Sequence, residues 1–269
     1  MRKILITGAN SYLAKNFIDI CKNVFYIIAT TTTKNLQNES VNELIFVDEN
    51  YEKLMPKINE CDFIVHFAWS KKNKDNSKNL NYINFLLEKK NINTMFYFIS
   101  SVAGSPNALS VYGKQKYEAY KLTLDKGGNN IILGGVISSK NNQIKTLLKL
   151  IYFSPFSIRF SYNFFKTYNI ELDSFKKKLF DIINNKIDEK NIIMFDQILD
   201  INDLFQYLEK KYEIKRKYKL IIPVILVKII IYIIKKFHLS SGLIDKILTF
   251  TYKDDEWLNN LQSVKKHNM

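Results

Sequence analysis

Cysteine is nearly absent: Cys21 and Cys61 are the only two in 269 residues. Two thiols cannot build a disulfide framework or a four-thiolate zinc site, and they point to a reducing compartment. Histidine is equally scarce, with His66, His238 and His267, so no metal ligand is assigned. Eight glycines and four prolines exclude collagen-like and linker-rich architectures. Arginine, the residue best suited to reading base edges, is limited to Arg2, Arg159 and Arg216. The net charge of +14 therefore comes from lysines spread along the chain. That reads as a solvated basic surface, also suited to an anionic substrate, and no nucleic-acid partner is expected. Residues 2–7 are apolar and basic, but Gly8 and Asn10-Ser11 end the run far short of a leader's apolar region. No signal peptide is expected, and the location expected is cytoplasmic.

What is present is ample apolar material, 46% of the chain with 14% aromatic, enough for a large core and too much for a disordered chain. In the first half, short apolar runs alternate with helical patterns. Lys3–Thr7, Val24–Thr30, Glu43–Val47, Phe63–Phe67, Met95–Ile99 and Asn130–Ile137 are continuous runs rather than alternating ones. A parallel sheet covered on both faces demands that pattern. Helical stripes lie between them, at positions 13, 17, 18 and 21, at Leu80, Ile83, Leu86 and Leu87, and beyond Tyr112. The fold predicted is α/β: a Rossmann-like doubly wound parallel sheet over residues 1–140. Residues 141–269, with aromatic-rich 151–168, helical 174–184 and 202–211 and a short run at 191–195, form a smaller, mostly helical C-terminal lobe. That lobe is interleaved with the sheet edge and lies over the sheet's carboxyl ends.

Two segments carry chemistry. The turn after the first run, Thr7-Gly8-Ala9-Asn10-Ser11-Tyr12-Leu13-Ala14, leads into a helix whose free N–H groups can receive a phosphate, although only Gly8 survives of three expected glycines. Ser100-Ser101 close the fifth run, and eleven residues after Ser101 comes Tyr112-Gly113-Lys114-Gln115-Lys116. Tyr and Lys four apart share one helical face. An ammonium beside the phenol is expected to lower its pKa from ~10, so that it can exchange a proton with a substrate hydroxyl.

With these motifs the chain resembles the extended short-chain dehydrogenase/reductase family, in its NAD-dependent epimerase/dehydratase branch. Residues 7–14 resemble T-G-A-x-G-[FY]-[IL]-G, and Asp62–Trp69 resemble D-x-[VI]-[VI]-H-L-A-A. Asn79 through Asn84 to Glu88 resembles N-x-x-G-T-x-N-L-L-E, Phe98–Ser101 the catalytic-serine strand, and 112–116 Y-G-x-x-K. The resemblance implies a dinucleotide across the sheet and a nucleotide sugar under the C-terminal lobe, in a homodimer. It implies Tyr112 as acid/base, Lys116 on the nicotinamide ribose, and Ser101 on the sugar oxygen, with Ser100 as its alternate. Cofactor contacts are implied at Gly8, Asn10, Ser11, Tyr12 and Leu13. Further on they are implied at Thr30, Lys34, Asp48, Phe67, Ala68, Trp69 and Asn84, together with Tyr112 and Lys116. His66, inside a strand, reads as a core histidine.

Departures from the pattern bear on function. Ser11 puts a Cβ where a glycine would let the backbone approach a pyrophosphate, while Ala14 is a tolerated change. Gly134 stands where the family has arginine, which puts the substrate-phosphate contacts in question. The second run ends Thr30-Thr31-Thr32-Thr33-Lys34 with no carboxylate for a ribose 2′-hydroxyl, so NADP is favoured over NAD. Val102-Ala103 after Ser101 argue against a dehydratase. The activity expected is that of a nucleotide-sugar 4-epimerase or 4-keto reductase of surface-polysaccharide synthesis; the alternative is a non-catalytic dinucleotide-binding sensor or scaffold.

One oily stretch remains, Leu220–Ile234. Fifteen helical residues span only ~22 Å against ~30 Å of hydrocarbon, and Lys228 lies in the middle, so no transmembrane span is expected. The reading adopted is a helix of the small lobe. The flanking lysines leave open a weak contact with an anionic membrane surface.

Overall fold

Strands covered on both faces need apolar side chains at successive positions, and the runs of the first half supply them. The computed structural model describes residues 1–33, 40–47, 51–70, 76–162, 165–215, 218–225 and 254–266, with Ile229 and Thr249. Strands β1 (Lys3–Thr7), β2 (Tyr26–Thr31), β3 (Glu43–Phe46), β4 (Phe63–His66), β5 (Met95–Ile99) and β6 (Asn129–Leu133) alternate with helices. These are α1 (Tyr12–Cys21), α2 (Met55–Glu60), α3 (Ser77–Lys89) and α4 (Val111–Asp125). The strands pair in parallel in the order β3-β2-β1-β4-β5-β6, and a seventh, β10 (Asn191–Met194), joins beside β6. The sheet is wound outward in both directions from β1, as in a Rossmann-like fold.

The period-2 geometry of the strands sorts their side chains into two cores. Ile4, Ile6, Ile27, Ala29, Phe63, Val65, Tyr97 and Ile99 face α1 and α6 (Leu172–Asn184). Leu5, Ile28, Ile64, Phe96 and Phe98 face α2, α3 and α4. Each such side chain stabilises the fold by roughly 1.5–3 kcal/mol on burial. Cys21 and Cys61 are free and lie buried in these layers.

The run read as one strand over Asn130–Ile137 is two. At Gly134 an added Cβ would lie 2.6 Å from the Tyr168 carbonyl oxygen, so the chain passes there only without a side chain. Beyond it, β7 (Gly135–Ile137) leaves for a second sheet with β9 (Lys166–Glu171) and β11 (Gln197–Asp200), in the order β11-β9-β7. Helices α5 (Asn142–Phe153) and α7 (Ile201–Lys211) close a core of Ile137, Ile144, Leu148, Leu204, Phe205 and Leu208. The oily stretch does not begin as a helix. Its start, β12 (Lys219–Ile222), pairs in parallel with β8 (Ser157–Phe160), because the backbone groups of β8 need an edge partner and four apolar-rich residues supply it. No helix among the described residues is long and apolar enough to cross a membrane. A last helix, α8 (Asp255–Lys266), sets Leu258 among Val102, Tyr120, Ile132 and Tyr168.

Candidate active site

At the centre of the large sheet Thr7 of β1 lies opposite His66 of β4, and the winding direction reverses between these strands. The loops leaving their carboxyl ends therefore diverge into a crevice. Gly8 opens it with φ of +72°, and a Cβ there would meet the Ala68 Cα at 2.7 Å, so backbone conformation and space both require glycine. Ser11 caps α1: its Oγ accepts from the Ala14 N–H at 3.2 Å. Its φ of −67° and ψ of 146° are extended backbone that serine adopts without strain, and the positive end of α1 faces the crevice. Asn10 donates to Thr33 Oγ1, and the Tyr12 hydroxyl bonds Ser138 Oγ just past β7. Leu13 packs into the core.

Thr7 Oγ1 is paired with His66 Nδ1 at 2.9 Å and accepts from the Ala68 N–H at 3.2 Å, tying the two crevice loops together. His66 is enclosed by Tyr82, Phe96 and Phe98. Burial, and then the charge of Lys116, push its pKa down to about 3, so it is a neutral core histidine. Phe67 turns into the core against Phe17 at 5.9 Å. Thr30 is buried, with its Oγ1 accepting from the Gly8 N–H at 3.4 Å and bonded to the Tyr82 hydroxyl at 3.2 Å. Of the four successive threonines, Thr30 and Thr31 end β2 and are buried, whereas Thr32 and Thr33 follow it and are exposed. Lys34 and Asp48 lie outside the described residues.

Ser101, Tyr112 and Lys116 converge beside this crevice. The Tyr112 phenol is hydrogen-bonded to Ser101, whereas the Ser100 Oγ is buried with no hydrogen-bond partner among the described residues. The loop from Ser101 to Ser110 folds back over the first turn of α4, where a Cβ on Gly113 would lie 2.4 Å from the Ala103 oxygen. Ser110 caps that turn, accepting from the Gly113 N–H at 2.9 Å. Burial pushes the Tyr112 phenol up to about 12 against the pull of Ser101, which reverses the lowering expected from Lys116. The reason is where the ammonium goes. Lys116 is 5% exposed, and its Nζ donates to the Ile99 carbonyl at 2.8 Å and lies 3.9 Å from the Trp69 ring centre and 4.5 Å from that of Phe98.

Two residues to which the sequence reading gave no site role hold the loop after β4. Asn79 accepts from the Ser70 N–H at 2.9 Å and donates to the Ser70 oxygen at 3.2 Å. Asn76 donates to the Gln115 oxygen at 3.0 Å and to Glu118 Oε2 at 2.8 Å. Their signal was available: two asparagines three apart at a helix start, on its apolar face. Asn84 is not brought to the site. It lies on α3 about 12 Å further along from Asn76 and bonds Glu88 at 2.9 Å, facing solvent.

No protein-family model matches the chain, and no curated protein matches its sequence. Solved structures do match its fold. A UDP-N-acetylglucosamine 4-epimerase from Bacillus cereus is similar at a TM-score of 0.67 and 14% identity, over 83% of this chain and 86% of that one. A UDP-glucuronic acid 4-epimerase from Bacillus cereus, in complex with NAD, is similar at 0.62 and 17%, over 82% and 87%. A hypothetical dTDP-4-dehydrorhamnose reductase from Sulfolobus tokodaii is similar at 0.65 and 14%, over 82% and 86%. The fold is thus the Rossmann-like fold that these solved epimerases and this reductase share.

Proposed function

We propose that the protein is an NAD(P)-dependent enzyme acting at the 4-position of a nucleotide sugar, as a 4-keto reductase or a 4-epimerase. One observation carries the reading: the Ser101–Tyr112 hydrogen bond, with Lys116 one helical turn on, stands beside a Gly8 turn that feeds a capped helix. The crevice suits a dinucleotide. Gly8 leaves no Cβ between the two loops, the first turn of α1 offers N–H groups to a pyrophosphate, and Lys116 supplies a buried cation near the reacting end. A bound nicotinamide dinucleotide would supply the hydride donor or acceptor.

The chain's own residues handle the proton. A phenol held protonated by burial is a donor, so Tyr112 can give its proton to a developing alkoxide at the sugar oxygen while Ser101 orients that oxygen. This favours reduction of a 4-keto sugar. The epimerase direction first requires Tyr112 to act as a base, which needs a lower phenol pKa in the loaded site. NADP is the cofactor favoured, supported by the missing carboxylate after β2 and the exposed Thr32 and Thr33 hydroxyls.

A panel of nucleotide-4-keto-hexoses with NADPH or NADH, followed at the nicotinamide absorbance, tests the reading. Oxidation by the wild-type protein, reduced at least ~100-fold in Tyr112→Phe, is expected. Turnover of Tyr112→Phe at the wild-type rate would sink the mechanism. Dinucleotide binding without turnover on any sugar would favour a sensor or scaffold.

A further inference from the structure

We propose that Trp69 is a positioning residue: its indole face holds the Lys116 ammonium against the Ile99 carbonyl, and its edge meets Tyr112. The role given to Lys116 rests on the function proposed above, whereas the indole–ammonium contact stands on geometry alone. Trp69 occupies the place of the second alanine in the motif that residues 62–69 resemble, so the clamp belongs to this chain rather than to the motif.

Lys116 is among the most deeply buried cations of the described residues. A buried ammonium needs compensation, and aromatic faces supply it through their quadrupoles. The Trp69 ring centre is 3.9 Å from Nζ, and Phe98 adds a second face at 4.5 Å. Trp69 in turn leans on Phe98 at 6.0 Å and stands edge-on to Tyr112 at 6.3 Å and 81°. One indole thus touches the cation, the phenol ring and the strand end that carries the carbonyl acceptor. Behind it, Asn79 grips Ser70 through both of its amide atoms, so the loop carrying Trp69 is fixed from the other side. Alanine at position 69 would leave the ammonium without its nearer aromatic face.

The sequence holds only two tryptophans, Trp69 and Trp257, so a Trp257→Phe background makes Trp69 the only indole emitter. Trp257 packs on Tyr117 and Tyr120 and phenylalanine keeps a ring there. In that background, Lys116→Met is expected to change the emission of Trp69 with no ligand present, because the cation on its face is gone. Unchanged emission would overturn the clamp. In the wild-type background, Trp69→Ala is expected to weaken NADPH binding by about three- to thirty-fold, with Trp69→Phe between the two. Binding as tight as wild type, or tighter, in Trp69→Ala would overturn the positioning role and mark the indole as an obstruction. Should Trp69→Ala fail to fold, Trp69→Phe carries the same comparison. If the wild-type protein binds neither NADPH nor NADH, the function proposed above fails, and the emission change on Lys116→Met still decides the clamp.

Discussion

The sheet half and the C-terminal lobe of this protein are held together by different means. In the sheet half, two apolar layers enclose strands that, apart from the edge strand β3, are buried at nearly every position, and the ion pairs found there lie on the rim. Lys3–Glu60, Lys57–Glu43 and Lys126–Glu88 are each roughly a third to a half exposed. In the lobe the strands are short, and charge reaches inward. Arg159 and Glu209 pair at 2.6 Å with only 12% of each side chain exposed, and Ser157 adds its hydroxyl to the same carboxylate. Tyr207 and Lys211 share Glu171, and Tyr168 bonds Asp255. The difference teaches that continuous burial makes a region's strands self-evident, whereas a region of short elements depends on partners brought from far along the chain.

Four experiments would break or sharpen that comparison, in falling order of effect. Phe63→Ala empties a fully buried site in the sheet half, and a loss of about 3–5 kcal/mol is expected in urea denaturation. A loss under about 1 kcal/mol would mean the two layers do not bear the stability assigned to them. In the lobe, Glu209→Ala strands the Arg159 guanidinium and the Ser157 hydroxyl, and should cost about 3 kcal/mol. If instead it behaves like a rim pair, charge does not anchor the lobe.

The third experiment concerns the neutral imidazole of the sheet half. The folded pKa of His66 is depressed to about 3 while the unfolded value is near 6.5, so the stabilisation is full above pH 6.5 and is lost as pH falls toward the folded value. Stability should drop by about 2 kcal/mol between pH 6.5 and pH 4.5 from this group, and His66→Gln should flatten that part of the curve. Parallel curves for the two proteins would show that His66 is not the group responsible. Last, Lys126→Ala removes a rim pair between α4 and α3 and should cost less than ~0.5 kcal/mol, measured in the same way. A loss matching that of Glu209→Ala would erase the distinction between rim and interior pairs.

Much of the sheet half was legible in advance because its signals are local. Each run from Lys3 to Leu133 became a strand near the positions read, since only a strand covered on both faces uses so continuous an apolar stretch. The helical spacing of Tyr112 and Lys116 placed both on one face of α4. The lobe yielded less. β8 and β12 pair across some sixty residues, and nothing in Leu220–Ile222 by itself distinguishes an edge strand from the start of an apolar helix. The short run at 191–195 reads as part of the C-terminal lobe, and its pairing with β6 instead makes β10 the seventh strand of the large sheet.

The sequence by itself determined the doubly wound sheet, the glycine turn at its centre and the residue types gathered there, because periodicity and turn chemistry act over a few neighbours. Tertiary structure alone decided what those residues do to one another. It chose Ser101 over Ser100 for Tyr112 and turned Lys116 to the Ile99 carbonyl and the Trp69 face. It raised the phenol instead of lowering it, and it required Gly134 because Tyr168 passes 2.6 Å from the place of its missing Cβ. Each of these outcomes depends on desolvation or close approach between segments distant in the chain, and no local pattern encodes the distance between such segments.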